Sequence, residues 1–349
     1  QQKQLEQLQR GVSVEFEGEA AAGEGLLREW LKLAHEELLH PDFGLFTSSD
    51  GNRTFTVSPV ATEHAPDGTE HLMVAGRVIG LGLLHGEPCG MQLAVSVVKF
   101  LLNGAVDERD LEAVDPGLAK TLEMTMSVDD VASLGLVFAV APAVEALGPE
   151  EHELIPRGAA VPVTEDNRRE YVRRYAEHRL FGEIREGLGA LKAGFEHVVS
   201  GDVSARLADL VGAQGVALMV GGKREIDVRD WRAHTALEGF GEDAEAVVWF
   251  WQYIERGGQQ AARRVLAFAT GSAYPPAGGF AALMGYGGER HPFTLVRVES
   301  GQRAPELPTA RTCFNSLRIP VEFESFDGLA QALDTATSEG AGFAETAVH

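Results

Sequence analysis

Cysteine is the scarcest residue in this chain: 349 residues contain two, Cys89 and Cys313. Two thiols in so long a chain cannot build a disulfide framework, and they suit a reducing compartment. Positive charge is also short. Thirty Lys and Arg stand against 52 Asp and Glu, a formal net charge of −22. Such a surface repels phosphate backbones and anionic lipid, so nucleic acid is excluded as a partner and a basic protein is favoured. Long hydrophobic runs are missing too. The longest, Leu134 to Val144, is too short to span a bilayer and contains Pro142, so no membrane insertion is expected. There is no internal repeat and no low-complexity tract. The chain opens at Gln1 with neither an initiator Met nor a signal-peptide pattern, which reads as a fragment of a longer protein.

What is present is the composition of a globular protein. Hydrophobic residues make up 44 % of the chain, enough for sizeable cores in one large or two medium domains. Leu26, Trp30, Ala34 and Leu38 form one stripe of a helix over 26–40 that Pro41 closes. Within it, His35 and His40 are one residue too far apart for the zinc-binding H-E-x-x-H pattern and point to different faces, so no metal is expected. Arg53 to Ser58 alternates after a turn signal and reads as half of a hairpin. Leu72 to Leu84 is apolar on nearly all sides, with Gly76, Gly80 and Gly82 spaced for close helix packing, as in a buried central helix. Gly80-x-Gly82 lacks the third glycine of a nucleotide fingerprint, so no cofactor is expected. A further apolar helix follows at Met91 to Leu102, and a strand at Leu136 to Val140. Thr164 with Asn167 opens a long helical segment to Val199. Val216 to Val220 reads as either a buried strand or a helix turn. Ala236 to Gly241 has two glycines, Gly239 and Gly241, and few packing groups, the composition of a hinge. Beyond it lie an aromatic helix (Val247 to Ile254), a second one (Gln259 to Phe268), a strand at Leu295 to Val298 and a closing helix at Phe326 to Thr337. Helices dominate the first part, and strands and helices mix in the last hundred or so residues.

The chemistry concentrates in Leu307-Pro308-Thr309-Ala310-Arg311-Thr312-Cys313-Phe314-Asn315-Ser316-Leu317-Arg318-Ile319-Pro320. A proline at each end fixes φ, and the apolar Leu317 and Ile319 follow the cysteine. Cys313 is therefore expected on a stiffened turn that leads into a short strand. This stretch resembles the catalytic cysteine loop of the HECT family of ubiquitin ligases, L-P-x-A-H-T-C-F-N-x-L-x-L-P. Further motifs in order carry the same resemblance: Phe16 to Glu19, Arg28-Glu29-Trp30, His40 to Phe46, Gly76 to Gly86, Val161 to Tyr171, Ile226 to Trp231, Phe268 to Ser272 and Gly279-Phe280. Together they cover about residues 13 to 343.

The resemblance implies an α+β, bilobal fold. A mainly helical N-lobe with small sheets would occupy 1–235, with a subdomain at about 145–220 that docks the ubiquitin-conjugating enzyme. A hinge at 236–241 would lead to a smaller α/β C-lobe at 242–349. Ubiquitin would pass from the conjugating enzyme to Cys313 as a thioester, then to a lysine of a protein substrate, in the cytoplasm or nucleus. Thr309, Arg311, Thr312, Phe314 and Asn315 would support the loop. Leu210 and Val211 would meet the conjugating enzyme, and Phe343 in the tail would pack back during ligation. Besides His40, which stands where the family has asparagine, four positions depart from the family's pattern. Arg311 replaces a histidine; its guanidinium can lower a thiol pKa by charge but cannot shuttle a proton. Val211 replaces an aromatic in the conjugating-enzyme groove. Thr47 and Leu147 replace the aromatic pair that binds a second ubiquitin, so anchors of the type that dominate interfaces are gone. Two other readings stay open: a catalytically impaired scaffold, and a thiol hydrolase. The latter needs a histidine at Cys313, and His291 and His349, the nearest in sequence, form no Cys–His signature.

Overall fold

The computed structural model describes residues 24–38, 40, 43–48, 54–62, 67–88, 90–142, 144, 148, 150–285, 289–299, 307–321 and 323–339. The chain is mainly helical with three small sheets among the described residues, an α+β fold. It forms two compact units. One takes the described residues of Glu36–Leu81 and Met91–Ala217, the other those of Gln1–His35, Gly82–Gly90 and Leu218–His349.

The helix that opens the described chain, α1 (Glu24–Leu38), buries Leu27, Leu31, His35 and Leu38. That face is rotated from the expected Leu26–Trp30–Ala34–Leu38 stripe, because one residue turns a helix by about 100°; Trp30 and Ala34 lie half-buried at its margin. His35 therefore sits in an apolar row. Its Nδ1 bonds the Leu31 carbonyl, and among the described residues its Nε2 has no partner. Burial lowers its pKa from 6.5 to about 4. Above pH 6.5 the ring is neutral whether the chain is folded or not, and stability is undiminished. As pH falls from 6.5 towards 4 the unfolded chain takes the proton first, so stability should drop by about 3 kcal/mol. Chemical denaturation at pH 7 and pH 4.5 should show this loss, and His35→Met should shrink it. An equal loss in the variant would place the sensitive group elsewhere.

In the Glu36–Leu81 and Met91–Ala217 unit, β1 (Phe46–Thr47) and β2 (Thr56–Val57) make the expected hairpin, Phe46 opposite Val57. The central helix α2 (Gly68–His85) buries Leu72, Ala75, Val78 and Ile79, but Val74 and Leu84 are exposed, so it is not buried on every side. The helix expected over Met91 to Leu102 shortens to α3 (Val95–Leu101). Next come α4 (Leu111–Val114) and α5 (Pro116–Ser127), where Asp115 accepts from the Leu118 amide (2.9 Å) and Pro116 fills the first turn. Of the expected strand, Ala139–Val140 forms β3 opposite β4 (His152–Glu153), and Val137 bridges Pro162 antiparallel. The long segment to Val199 divides into α6 (Arg168–Glu177), a π turn at His178–Gly182 and α7 (Arg185–Glu196). The Asn167 side chain accepts from the Thr164 amide (2.8 Å) before α6. Leu111, Leu122, Val131, Phe138, Val163 and Tyr171 form a core under α4 to α6, with the Phe138 and Tyr171 rings edge-on at 5.4 Å.

Val216 to Val220 is helical, the end of α8 (Gly201–Gly221). By length and composition alone α8 could cross a membrane. At Gly212, φ of +68° and ψ of 172° divide it into two shorter helices.

In the other unit, α9 (Val228–Ala233) is capped by Asp227, whose Oδ1 accepts from the Arg229 (2.8 Å) and Asp230 (3.2 Å) amides. Strand β5 (Thr235–Glu238) follows, then α10 (Glu245–Thr270), β6 (Phe293–Val298), β7 (Thr309–Arg311), β8 (Ser316–Pro320) and α11 (Phe326–Glu339). The sheet order is β5-β6-β8-β7. The first three strands are parallel, and β7 is an antiparallel edge. Trp231 is the hub of the core. It stacks on Phe280 (4.9 Å, 9°) and meets Phe293 (5.0 Å) and Trp251 (5.9 Å) edge-on.

The hinge expected at 236–241 needs correction. Ala236 to Glu238 belong to β5 and pair with Thr294 to Val296 of β6, so this stretch is built into the sheet. Gly239, at φ +75°, and Gly241 lie in the turn from β5 to α10 within one unit. The chain last passes from one unit to the other at 217–218.

Candidate active site

Cys313 stands on the turn between β7 and β8. Arg311 pairs with Ser316 and Ala310 with Leu317, so the two strands fix both ends of residues 312–315. Thr312 to Phe314 make one 3-10 turn, closed by the Asn315 amide on the Thr312 carbonyl (3.2 Å). Asn315 takes the left-handed conformation (φ +46°, ψ 38°), which asparagine tolerates better than most residues. The strand after the cysteine is deeply set: Leu317 and Ile319 are fully buried, next to β6. The stiff turn leading into a short strand is thus as expected from the flanking prolines.

Asn315 anchors the turn. Fully buried, it donates from Nδ2 to the main-chain carbonyls of Met284 (2.8 Å) and His291 (2.9 Å), and its own carbonyl accepts from the Thr294 amide (2.9 Å). Met284 and Arg290 bridge antiparallel, so the stretch around Gly285 forms a buttress beneath the turn. A Cβ on Gly285 would meet the His291 Cβ at 2.5 Å and the Cys313 carbonyl at 3.2 Å, too close for any larger residue. Asn315 would not hold the turn if it were free to pivot. Two acceptors from separate strands of the buttress fix its amide in one orientation.

The other expected loop residues fall around this anchor. Arg311 is exposed, and Thr312 and Cys313 are half-buried. Phe314 is 46 % exposed, unusual for so large an apolar ring. The Thr309 hydroxyl is buried with no hydrogen-bond partner among the described residues. The thiol of Cys313 is free, and β7 and the 3-10 turn pack on α10. A half-accessible thiol on a rigid turn can attack an electrophile presented from solvent, and a thioester needs no strong base to exchange with it.

Leu210 and Val211 lie on α8, in the other unit, just before the break at Gly212. They are 82 % and 46 % exposed, so neither is core. Thr47 is exposed on β1. Leu147, Phe343 and Cys89 fall outside the described residues. His291, prominent in sequence only as a neighbouring histidine, packs its ring edge-on against Phe314 (5.8 Å, 66°). No sequence pattern marks that contact. It depends on the buttress folding back under the turn.

The parallel sheet thus carries a free, half-exposed thiol on its edge hairpin, an arrangement suited to exchange with a thioester. Residues 32–346 match the model of the HECT-domain (ubiquitin-transferase) family, and the chain belongs to that family. It is similar to the E3 ubiquitin-protein ligase HACE1 of Danio rerio, 33 % identical over 330 residues, which is 94 % of this chain and 35 % of that protein. It is equally similar to the E3 ubiquitin-protein ligase Smurf1 of Drosophila melanogaster, 33 % identical over 353 residues, covering 97 % and 31 % of the two chains. HACE1 of Xenopus laevis is 32 % identical over 317 residues, covering 90 % and 33 %. The chain therefore spans about a third of the length of these relatives.

Proposed function

We propose that this chain accepts ubiquitin from a conjugating enzyme as a thioester on Cys313 and passes it to a lysine of a protein substrate, in the cytoplasm or nucleus. The observation that carries this reading is the accessible Cys313 thiol on a turn clamped by the strand register and by Asn315. The first transfer exchanges one thiolate for another. The second requires an acceptor amine that has lost its proton.

The test is a charging assay with activating enzyme, a panel of conjugating enzymes and ubiquitin. A ubiquitin adduct that reductant removes is the expected result. No adduct with any conjugating enzyme would overturn the reading and leave a scaffold.

Docking of the conjugating enzyme is assigned to the apolar pair Leu210 and Val211. Large apolar side chains this exposed, at a helix break, fit a surface completed by a partner. Leu210→Asp should slow charging about tenfold, the effect of losing one interface anchor. Thermal stability should change little, since the side chain is in solvent. Unchanged charging rates would place the docking surface elsewhere.

A further inference from the structure

The turn that holds Cys313 contains no group that exchanges protons near neutral pH other than the thiol. Between Leu307 and Pro320 the ionisable side chains are Arg311, Cys313 and Arg318. A guanidinium stays protonated throughout that range. Aminolysis of a thioester must nevertheless dispose of a proton from the attacking amine. The acceptor has to come from a neighbouring element.

The buttress beneath the turn supplies an imidazole. His291 lies edge-on to Phe314, the residue after the cysteine. Its Cγ and the Cys313 carbonyl both approach within 3.2 Å of the point where a Cβ on Gly285 would stand, so the ring and the cysteine's backbone flank the same glycine. The His291 carbonyl is held by Asn315 (2.9 Å), and its amide donates to the Leu283 carbonyl (3.0 Å), which fixes the main chain from which the ring projects. The ring also borders a cavity of about 320 Å³, lined further by His234, Phe280, Leu283 and Arg290. That cavity gives an acceptor side chain room to reach the imidazole. The ionisable groups lining this space are Arg290 and His291 of the buttress and His234; Glu289 precedes them in the chain, and Arg311 and Cys313 stand on the turn. His234 is paired through Nδ1 with Asp230 at 2.9 Å. His291 has no carboxylate partner among the described residues; its Nδ1 faces the Pro292 carbonyl at 3.2 Å, which leaves Nε2 to take a proton.

We propose that His291 takes the proton lost by the acceptor lysine when ubiquitin leaves Cys313. This deepens the function proposed above and rests on it. In the step, the neutral amine nitrogen attacks the thioester carbonyl and the C–N bond forms. The C–S bond to Cys313 breaks with its electron pair passing to Sγ as thiolate. One proton moves from nitrogen to the neutral imidazole, leaving an imidazolium–thiolate pair that solvent relaxes.

The test is a single-turnover chase of preformed, purified Cys313–ubiquitin adduct with free lysine across pH 5.5 to 9. His291→Gln leaves the carbonyl that Asn315 grips in place. Wild-type discharge should show a rising limb below the range in which the lysine amine itself titrates. In His291→Gln that limb should vanish and discharge near neutral pH should fall about a hundredfold. Added imidazole should restore part of the rate. His234→Gln, on the same cavity, should keep the limb. Wild-type rate and pH profile in His291→Gln would overturn the proposal, as would a limb that disappears with His234 instead. Should His291→Gln accumulate too little adduct to chase, His291→Asn provides the same readouts with a smaller side chain. Failure of the wild-type chain to form any adduct would instead reject the transferase reading, so the two failures are distinguishable.

Discussion

Cys313→Ala is expected to abolish the ubiquitin adduct, and Cys89→Ala to leave it intact. The chain has two thiols, so the pair of variants exhausts the possible thioester sites. Cys313 is half-exposed on a turn whose geometry other groups set: the Arg311–Ser316 pairing, the left-handed Asn315 and its two carbonyl partners. Removing one sulfur atom there leaves the anchors in place, and at a half-exposed position it should alter stability by no more than about 0.5 kcal/mol. Loss of the adduct would then report chemistry and not unfolding. Nothing else on the turn can substitute. Thr312 carries the adjacent hydroxyl, but an alcohol near neutral pH is almost wholly protonated and needs a base to become a nucleophile, whereas a thiol supplies a few per cent thiolate unaided. The measurement is non-reducing electrophoresis of the charging reaction, with a reduced lane beside it. An adduct that persists in Cys313→Ala and disappears in Cys89→Ala would reverse the assignment.

The turn was readable from sequence because its determinants are local. Pro308 and Pro320 bound it, and Leu317 and Ile319 alternate with polar residues, which is the pattern of a strand with one buried face. The two residues that matter most for holding Cys313 in place were less readable. Asn315 was legible as a loop residue, but its full burial depends on Met284 and His291 carbonyls 31 and 24 positions earlier, and main-chain acceptors leave no mark in sequence. His291 is similar: its contact with Phe314 exists only after the buttress has folded. The hinge was misread for a related reason. Ala236-Leu237-Glu238 is too short and too ordinary to declare itself a strand, and its parallel pairing with β6 bridges 58 positions, so the two glycines that follow dominated the local signal. In α1 the error was angular. Trp30 drew the predicted stripe towards itself, while the buried face runs through Leu27, Leu31 and His35, one position further round. Glycine spacing fared better at one position: Gly76 lies against the backbone of α7, whereas Gly80 meets the side chains of Val198 and Val199 beyond that helix's end.

That crossing carries the second large effect, and Gly194→Ala is its sharpest probe. A Cβ on Gly194 would stand 1.8 Å from the Met73 carbonyl oxygen and 2.7 Å from its carbon. A Cβ on Gly76 would stand 1.9 Å from the Leu191 oxygen and 2.6 Å from the Phe195 nitrogen. Gly76 of α2 and Gly194 of α7 thus each face the other helix's backbone. Main-chain atoms cannot swing aside as a side chain can, so a methyl group at either position must push the helices apart and strip contacts along their length. Alanine normally improves a helix by up to about 1 kcal/mol over glycine, so the sign of the effect decides between crowding and propensity. Gly194→Ala is expected to destabilise this unit by about 3 kcal/mol or more, at the upper end of what overpacking causes. Gly189→Ala, on the same helix with nothing within 4 Å of its would-be Cβ, should instead be neutral or stabilising. Urea denaturation of the three proteins supplies the midpoints. Once one methyl has separated the helices, the second meets less resistance, so Gly76→Ala combined with Gly194→Ala should cost less than the sum of the single changes. Equal midpoints for wild type and Gly194→Ala would show that α2 and α7 do not touch at these glycines. Additive losses in the double variant would show that the two positions crowd separate neighbours.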